Sequence, residues 1–371
     1  MRFISLFKKK YQPLNILTIV KEALFHNYTY LSKSSGLAIA PVLKSNAYGH
    51  GLVLTAKTLD PLKAPFFCVD SIYEAYELHK NHIKTPILIM GYVSQENLKL
   101  KKMQFSFAVS TRDSLEAVHT YQPQAGIHIF VDTGMHREGF PMQDFHELIR
   151  FIKAKQIKIE GLMSHFGASD RNDSLTKEQV KNFQKAQALF LAADIKPQWM
   201  HITNSSGVLN HKNYKGKIGN LGRAGIALYG IDPEQKNKNL QPAISFYSTL
   251  AQIKDLKKGE SSGYDFTFTA KKDMKIGVIS SGYNDGVDRR LSNIGVTKIG
   301  NTYCPIIGKV SMNITMIDIS AVKNPKVGMR VEIYSNNSND KNSLYHAAAL
   351  CGDISYDFLV KLAASTKRIV V

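Results

Sequence analysis

Eight short apolar runs, set roughly 20 to 40 residues apart, fix the architecture of this chain before any single residue is considered. They are Leu37–Leu43, Phe66–Val69, Pro86–Met90, Phe105–Val109, Gly126–Val131, Ile159–Met163, Trp199–Ile202 and Gly222–Leu228. Each spacing has room for one strand and one crossover helix. Near-continuous apolar strands are what a parallel sheet requires when helices cover both of its faces. Eight such units are the number that closes a barrel. Between the runs, Ser71–Lys80 and Lys177–Ala193 carry apolar residues three and four apart and read as amphipathic helices.

After Tyr229-Gly230 the pattern changes. Pro233, the polar run Glu234–Asn239 and Pro242 form a linker-like stretch. Strand-like segments then alternate with turns: Ala243–Ile253, Lys275–Ser281, Pro305–Val310, Asn313–Ile319 and Arg330–Tyr334, followed by a helix over Ser343–Leu350 and another after Ser355. The expected fold is therefore α/β, a (β/α)8 TIM-type barrel over residues 11–236 followed by a mostly β C-terminal domain over residues 237–371.

Composition narrows the class. Lys+Arg number 48 against 30 Asp+Glu, a net charge of +18, which raises the question of nucleic acid or a membrane surface. Of the 48 cations 38 are Lys, scattered over helices and loops and not gathered in a stripe interleaved with aromatic residues, so a solvated surface is expected and no nucleic-acid partner. Cys68, Cys304 and Cys351 are far apart and odd in number, which speaks against a disulfide framework or a cysteine metal site. The apolar part of Met1–Lys10 is too short for a signal peptide and its charges follow it. No stretch reaches the ~18 apolar residues of a membrane span. A cytoplasmic protein with no membrane association and no metal is expected.

A parallel barrel presents functional groups at the C-terminal ends of its strands. Here those ends carry Lys44 to Gly51, Asp132 to Arg137, Ser164-His165-Phe166, Asn204-Ser205-Ser206-Gly207 and Arg223-Ala224-Gly225-Ile226. Burial of Lys44 at the end of an apolar strand would favour the neutral amine that attacks an aldehyde, making it a Schiff-base candidate. The small residues after runs seven and eight match the place where barrels commonly build a phosphate site. Taken singly, each has a plain reading: a strand-end lysine is usually solvated, Asn-Ser-Ser-Gly is a turn, and a histidine such as His165 is more often a satisfied core residue. No metal-ligand spacing accompanies His165.

Taken together, and in order, these segments resemble the bacterial alanine racemases. The motifs are Val42 to Gly51, Val131 to Arg137, Ser164-His165-Phe166, His201 to Ser205, Arg223 to Gly230, Gly263-Tyr264, Gly282 to Gly286 and Ser311-Met312. The resemblance implies a pyridoxal 5'-phosphate enzyme racemising alanine with two opposed bases, supplying D-alanine for peptidoglycan. By it, Lys44 would hold the cofactor aldehyde and act on the D face, and Tyr264, contributed by the partner subunit of a homodimer, would act on the L face. Arg223 would donate to the pyridine nitrogen, and His165 would orient Arg223 and Tyr264. Tyr48, Asn204, Ser205, Gly225, Ile226 and Tyr356 fall at cofactor-binding positions, most of them around the phosphate. Arg137 and Met312 fall at the substrate carboxylate, and Tyr283 at a gate that favours small side chains.

Two departures follow from the same resemblance. The family commonly has a lysine, carried as a carbamate, where this chain has Phe130, and Asp where it has Asn313. Both changes remove negative charge near the position of Arg137. Arg137 is then expected to be held by the cofactor, by Asn313, or by an anion such as chloride. A broader racemase acting on serine or lysine, or a non-catalytic cofactor-binding protein, are the alternative expectations.

Overall fold

The structure is a computed structural model that describes residues 12–169, 174–214, 216–234 and 236–371. The segment Met1–Lys10, read above as no signal peptide, lies outside the described residues, as does Gln235 of the linker-like stretch. The chain forms two compact units, one over residues 20–243 and one combining residues 244–371 with the N-terminal segment that ends at Ile19.

In the first unit the eight apolar runs become eight strands: Ala38–Pro41, Phe67–Val69, Ile87–Ile89, Ser106–Val109, Ile127–Asp132, Gly161–Met163, Trp199–His201 and Leu221–Ala224. The second to seventh form one continuous parallel ladder, through pairs such as Phe67–Ile87, Leu88–Ser106, Phe107–Ile127, His128–Gly161 and Gly161–Trp199. The first and eighth pair with each other in parallel, from Ala38–Leu221 to Pro41–Ala224. Single bridges, Val42–Cys68 and His201–Gly219, join this pair to the ladder on either side. The parallel sheet is thus ringed, with two loose seams. Ala40, Cys68, Leu88 and Leu221, from four strands, form one buried cluster with Tyr48 and Trp199 packed against it.

The helices start where the sequence offers caps. Ser71, Ser94 and Thr111 each accept a backbone N–H of the first turn of the helices Ile72–Lys80, Gln95–Leu100 and Arg112–Tyr121, satisfying donors that have no intrahelical partner. The expected helix 177–193 is Ser174–Ala192, with Val180, Phe183, Ala186 and Phe190 on its buried face.

The second unit is a β-barrel built on the 13-residue strand Ile244–Leu256. Its first half pairs with Arg330–Tyr334 and its second half with Met274–Ile279, the register shifting between Leu250 and Gln252. Thr315–Asp318, Thr302–Ile307 and Val296–Ile299 complete the circuit back to Arg330–Tyr334. Two domain limits expected from the sequence are corrected here. Ile16–Ile19 is a strand of this second unit, antiparallel to Ile244–Tyr247 and parallel to Lys367–Val370. Residues 237–243 belong to the first unit, where Asn27 Nδ2 donates to the carbonyls of Leu228 and Gln241. No helix among the described residues is long and apolar enough to cross a membrane.

Candidate active site

At the mouth of the barrel the first strand runs into a turn, Lys44–Tyr48, wound left-handed: Ser45, Asn46, Ala47 and Tyr48 have φ of 56°, 56°, 53° and 50°. Each non-glycine residue in that region costs about 1–2 kcal/mol, so the surroundings must over-determine it. Glu74, 9% exposed, does so by accepting from the N–H of Asn46 at 3.2 Å and of Asp70 at 2.9 Å. Asn46 Oδ1 accepts from Leu52 N–H at 2.8 Å. Lys44 Nζ lies 3.5 Å from Asp70 Oδ1 with its side chain 39% exposed. The buried, desolvated lysine expected from the sequence is thus corrected: Lys44 reaches out of the strand end toward a carboxylate, because the turn lifts it off the apolar run. Asp70 and Glu74 escaped the sequence reading, although both follow the second apolar run, at a strand end like the others.

The turn brings Tyr48 over the end of the eighth strand. A Cβ on Gly225 would lie 2.5 Å from the Tyr48 hydroxyl, so glycine is required there for space. Ser205, buried, accepts through Oγ from the N–H of Gly225 at 3.0 Å and of Ala227 at 3.2 Å. Asn204 caps the short helix Ser205–Leu209, accepting from Gly207 N–H at 3.0 Å and from Ser169 Oγ at 2.7 Å. Ile226 is fully buried beside them. Burial, with Cys68 and Asp70 nearby, pushes the Tyr48 phenol up to about 12 and keeps it a donor at neutral pH. Tyr48, Asn204, Ser205, Gly225 and Ile226 are therefore gathered at one strand-end cluster.

Arg223 is buried on the eighth strand and held from three sides. Nη1 donates to His201 Nδ1 at 2.6 Å and to the His201 carbonyl at 3.1 Å; Nη2 donates to the Ser164 carbonyl at 2.6 Å and to His165 Nδ1 at 3.0 Å. Burial lowers the guanidinium to about 10, leaving it charged at neutral pH. Burial first, and then the charges of Arg223, Arg137 and Lys44, pull the His165 imidazole down to about 3. His165 is thus neutral, with Arg223 in contact. The end of its strand is fixed by Gln179 Nε2 donating to the His165 carbonyl at 2.9 Å and by Ser164 Oγ meeting Thr133 Oγ1 at 2.8 Å.

Arg137 departs from expectation. Its Nη2 donates to Glu138 Oε1 at 3.0 Å, with both side chains about half exposed. The adjacent carboxylate, weighed nowhere in the sequence reading, is its partner. Phe130 is buried on the fifth strand and lies against the backbone of the loop that carries these residues: a Cβ on Gly139 would sit 2.7 Å from Phe130 Cδ1. His201 and His128, each the one imidazole in an apolar run, were the available signals for the Arg223 network.

The remaining expected residues lie in the second unit. Tyr264 opens the turn Tyr264–Phe266 at the tip of the small ladder Ser261–Ser262/Phe268–Thr269 and is 67% exposed. That turn is tied down by the ion pair between Asp265 and Lys309. Tyr283, Met312 and Asn313 share one exposed patch, laced by Tyr283 N–H to the Ser311 carbonyl at 3.0 Å and Asn284 N–H to the Met312 carbonyl at 2.9 Å. Asn313 Nδ2 reaches Asp285 Oδ2 at 3.5 Å. Tyr356 is partly buried on the helix Ser355–Val360.

Comparison with known proteins covers both units. The family model for the alanine racemase N-terminal domain matches residues 19–233, and that for the alanine racemase C-terminal domain matches residues 243–370. An alanine racemase of Lactobacillus acidophilus is 34% identical over 350 residues, 90% of this chain and 91% of that protein. The crystal structure of alanine racemase from E. faecalis is 29% identical with a TM-score of 0.86, covering 96% of this chain and 98% of that one. The Bartonella henselae alanine racemase, described as having covalently bound pyridoxal phosphate, has the same fold with a TM-score of 0.85 at 24% identity, covering 97% of this chain and 100% of that one.

Proposed function

The chain belongs to the alanine racemase family, and from that premise we propose that it interconverts L-alanine and D-alanine with pyridoxal 5'-phosphate at the mouth of the barrel. The observation that carries this reading is the contact of buried Arg223 with His165 Nδ1 at 3.0 Å at the barrel mouth, together with the Tyr48–Ser205–Gly225 cluster and the Lys44 turn. These groups fit a phosphorylated aromatic aldehyde. Lys44 offers the amine for the aldehyde, and Arg223 a donor for the ring nitrogen. The Tyr48 and Ser205 hydroxyls and the amide of Ile226 suit a phosphate, in a cradle that a side chain on Gly225 would fill. Asn204 and Tyr356 take their cofactor-binding roles from the family resemblance.

The bound cofactor supplies an electron sink for the pair left at the substrate Cα when its proton departs. Lys44 Nζ removes or returns that proton on the D face, and Tyr264 of the partner subunit does so on the L face, which makes a homodimer the working unit. Arg137 and the Met312 backbone hold the substrate carboxylate, with Asn313 beside them and Tyr283 narrowing access to a small side chain. Arg223 keeps its proton, so it orients the ring nitrogen without protonating it; the sink stays weak and return of the proton to Cα is favoured. Because His165 Nδ1 accepts from Arg223, its proton sits on Nε2, free to orient the phenol of Tyr264 of the partner subunit. The protein would work in the cytoplasm, supplying D-alanine for peptidoglycan.

The test is proton exchange and racemisation of L-alanine followed by chiral chromatography, with serine and lysine in the same panel. Lys44→Ala is expected to abolish turnover and Tyr264→Phe to lower it by about 10²–10⁴. Borohydride treatment and peptide mapping should place the cofactor on Lys44. Wild-type turnover in either variant would remove the role assigned to that residue, and no exchange with any amino acid would overturn the reading.

A further inference from the structure

Barrel interiors are normally filled by layers of branched apolar side chains. In this barrel a row of polar groups crosses the same space, at a desolvation cost that only full pairing offsets. His201, from the seventh strand, and His128, from the fifth, are both fully buried, and His128 Nδ1 lies 2.9 Å from His201 Nε2. The Phe66 ring stands edge-on to His128 with centroids 5.3 Å apart. His128 Nε2, which makes no hydrogen bond of its own among the described residues, faces Glu160 Oε2 at 3.3 Å. Glu160 precedes the sixth strand, and its Oε2 also accepts from Ser106 Oγ at 2.6 Å. The row therefore runs from Arg223 near the mouth to a carboxylate at the opposite end of the strands.

The backbone is cut back to admit it. A Cβ on Gly161 would lie 2.1 Å from His128 Nδ1, and one on Gly126 would lie 1.6 Å from Glu160 Oε2. Gly161 sits between His128 and Trp199 in the ladder, so its missing side chain is what lets imidazoles two strands apart meet.

Polarity then follows by elimination. A guanidinium can only donate, so His201 Nδ1 must be bare and the proton of the neutral ring must sit on Nε2. That proton goes to His128 Nδ1, which leaves the His128 proton on Nε2, aimed at Glu160. We propose that Glu160 is a positioning residue for Arg223, acting through a one-directional chain in which the hydrogen bonds Arg223–His201–His128 end on the 3.3 Å contact between His128 Nε2 and Glu160, and that this chain locks both imidazoles as neutral Nε2–H tautomers. The role of Arg223 in this proposal rests on the function proposed above; the chain itself does not. Burial holds both imidazoles below their ordinary range, and the His128 imidazole 3.3 Å away holds the Glu160 carboxyl below its own. The pair is thus a neutral donor facing an ionised acceptor. A carboxylate at the far end gives the buried cation a counter-charge without placing an anion beside the reacting groups.

The experiment is long-range 1H–15N correlation on 15N-histidine-labelled full-length protein, with and without pyridoxal 5'-phosphate, assigned through His128→Gln and His201→Gln. Both residues should show the neutral Nε2–H pattern, unchanged between about pH 6 and 8. An Nδ1–H tautomer or an imidazolium at either residue overturns the proposal. Glu160→Gln, which keeps an acceptor, should preserve the tautomers. Glu160→Ala should mix them and lower kcat about tenfold with KM held within about twofold, as loss of an orienting partner does. If Glu160→Ala leaves tautomers and kcat unchanged, the proposal fails; if it does not fold, the wild-type spectrum still decides. An inactive protein with both Nε2–H tautomers would refute the proposed function and leave the chain of bonds standing. An active enzyme with other tautomers would do the reverse.

Discussion

Acidifying the protein from pH 7 to pH 5 should destabilise the barrel by at least about 2 kcal/mol, through histidines rather than carboxylates. His165 is drawn from the ordinary 6.5 down to about 3 in the folded chain, chiefly by burial and then by Arg223, Arg137 and Lys44. Between those two values the unfolded chain binds a proton that the folded chain refuses. Stability therefore rises with pH across that window and is lost on acidification. Moving to pH 5 goes 1.5 units below 6.5, and at about 1.4 kcal/mol per unit His165 alone accounts for about 2 kcal/mol. His128 and His201 are lowered too, and add with the same sign. The lowered carboxyls, such as Glu160 and Asp132, begin to titrate only below about 4.5, outside the interval. Urea unfolding at a series of pH values, followed by fluorescence, measures this directly, because the chain has one tryptophan, Trp199, on the seventh barrel strand. His165→Asn keeps an acceptor for Arg223 and cannot titrate, so it should remove about 2 kcal/mol of the difference between pH 7 and pH 5. A variant that loses stability on acidification as steeply as the wild type would refute the reasoning.

Two further substitutions test the packing of the site. Gly225→Ala places a methyl group 2.5 Å from the Tyr48 hydroxyl, whose ring is hemmed by Tyr229 at 5.3 Å. It should cost about 1–3 kcal/mol in urea unfolding and weaken cofactor binding at least about tenfold by equilibrium dialysis. Phe130→Ala empties a buried site against the Gly139 loop and should cost about 3–5 kcal/mol by thermal or urea unfolding. A change under about 1 kcal/mol would show that the ring is not a packing element.

Much of the site was visible in the sequence because strand ends are visible. Lys44, Arg137, His165, Asn204 and Ser205 each follow an apolar run, Arg223 lies within the eighth, and the runs became strands. What lay hidden was the set of partners. Glu74 holds the left-handed turn and Asp70 meets Lys44, although nothing in the helix pattern around Ser71 marks either as part of a site. Glu138 is next to Arg137 in the chain, yet adjacency alone does not pair two side chains; rotamers decide that.

The sequence by itself determined the eight-unit rhythm, the helix start at Ser71, and the order of the reactive strand ends. These depend on local periodicity and on capping groups within a few residues of one another. Only the tertiary structure decided that Ile16–Ile19 joins a sheet with strands more than 220 residues away, that Lys44 is half-buried beside Asp70, and that His128 and His201 meet across Gly161. Each depends on ring closure and register, which bring together groups that no local pattern links. The Arg223 environment is the clearest case: its partners are Ser164, His165 and His201, and they meet because the parallel strands are laid side by side.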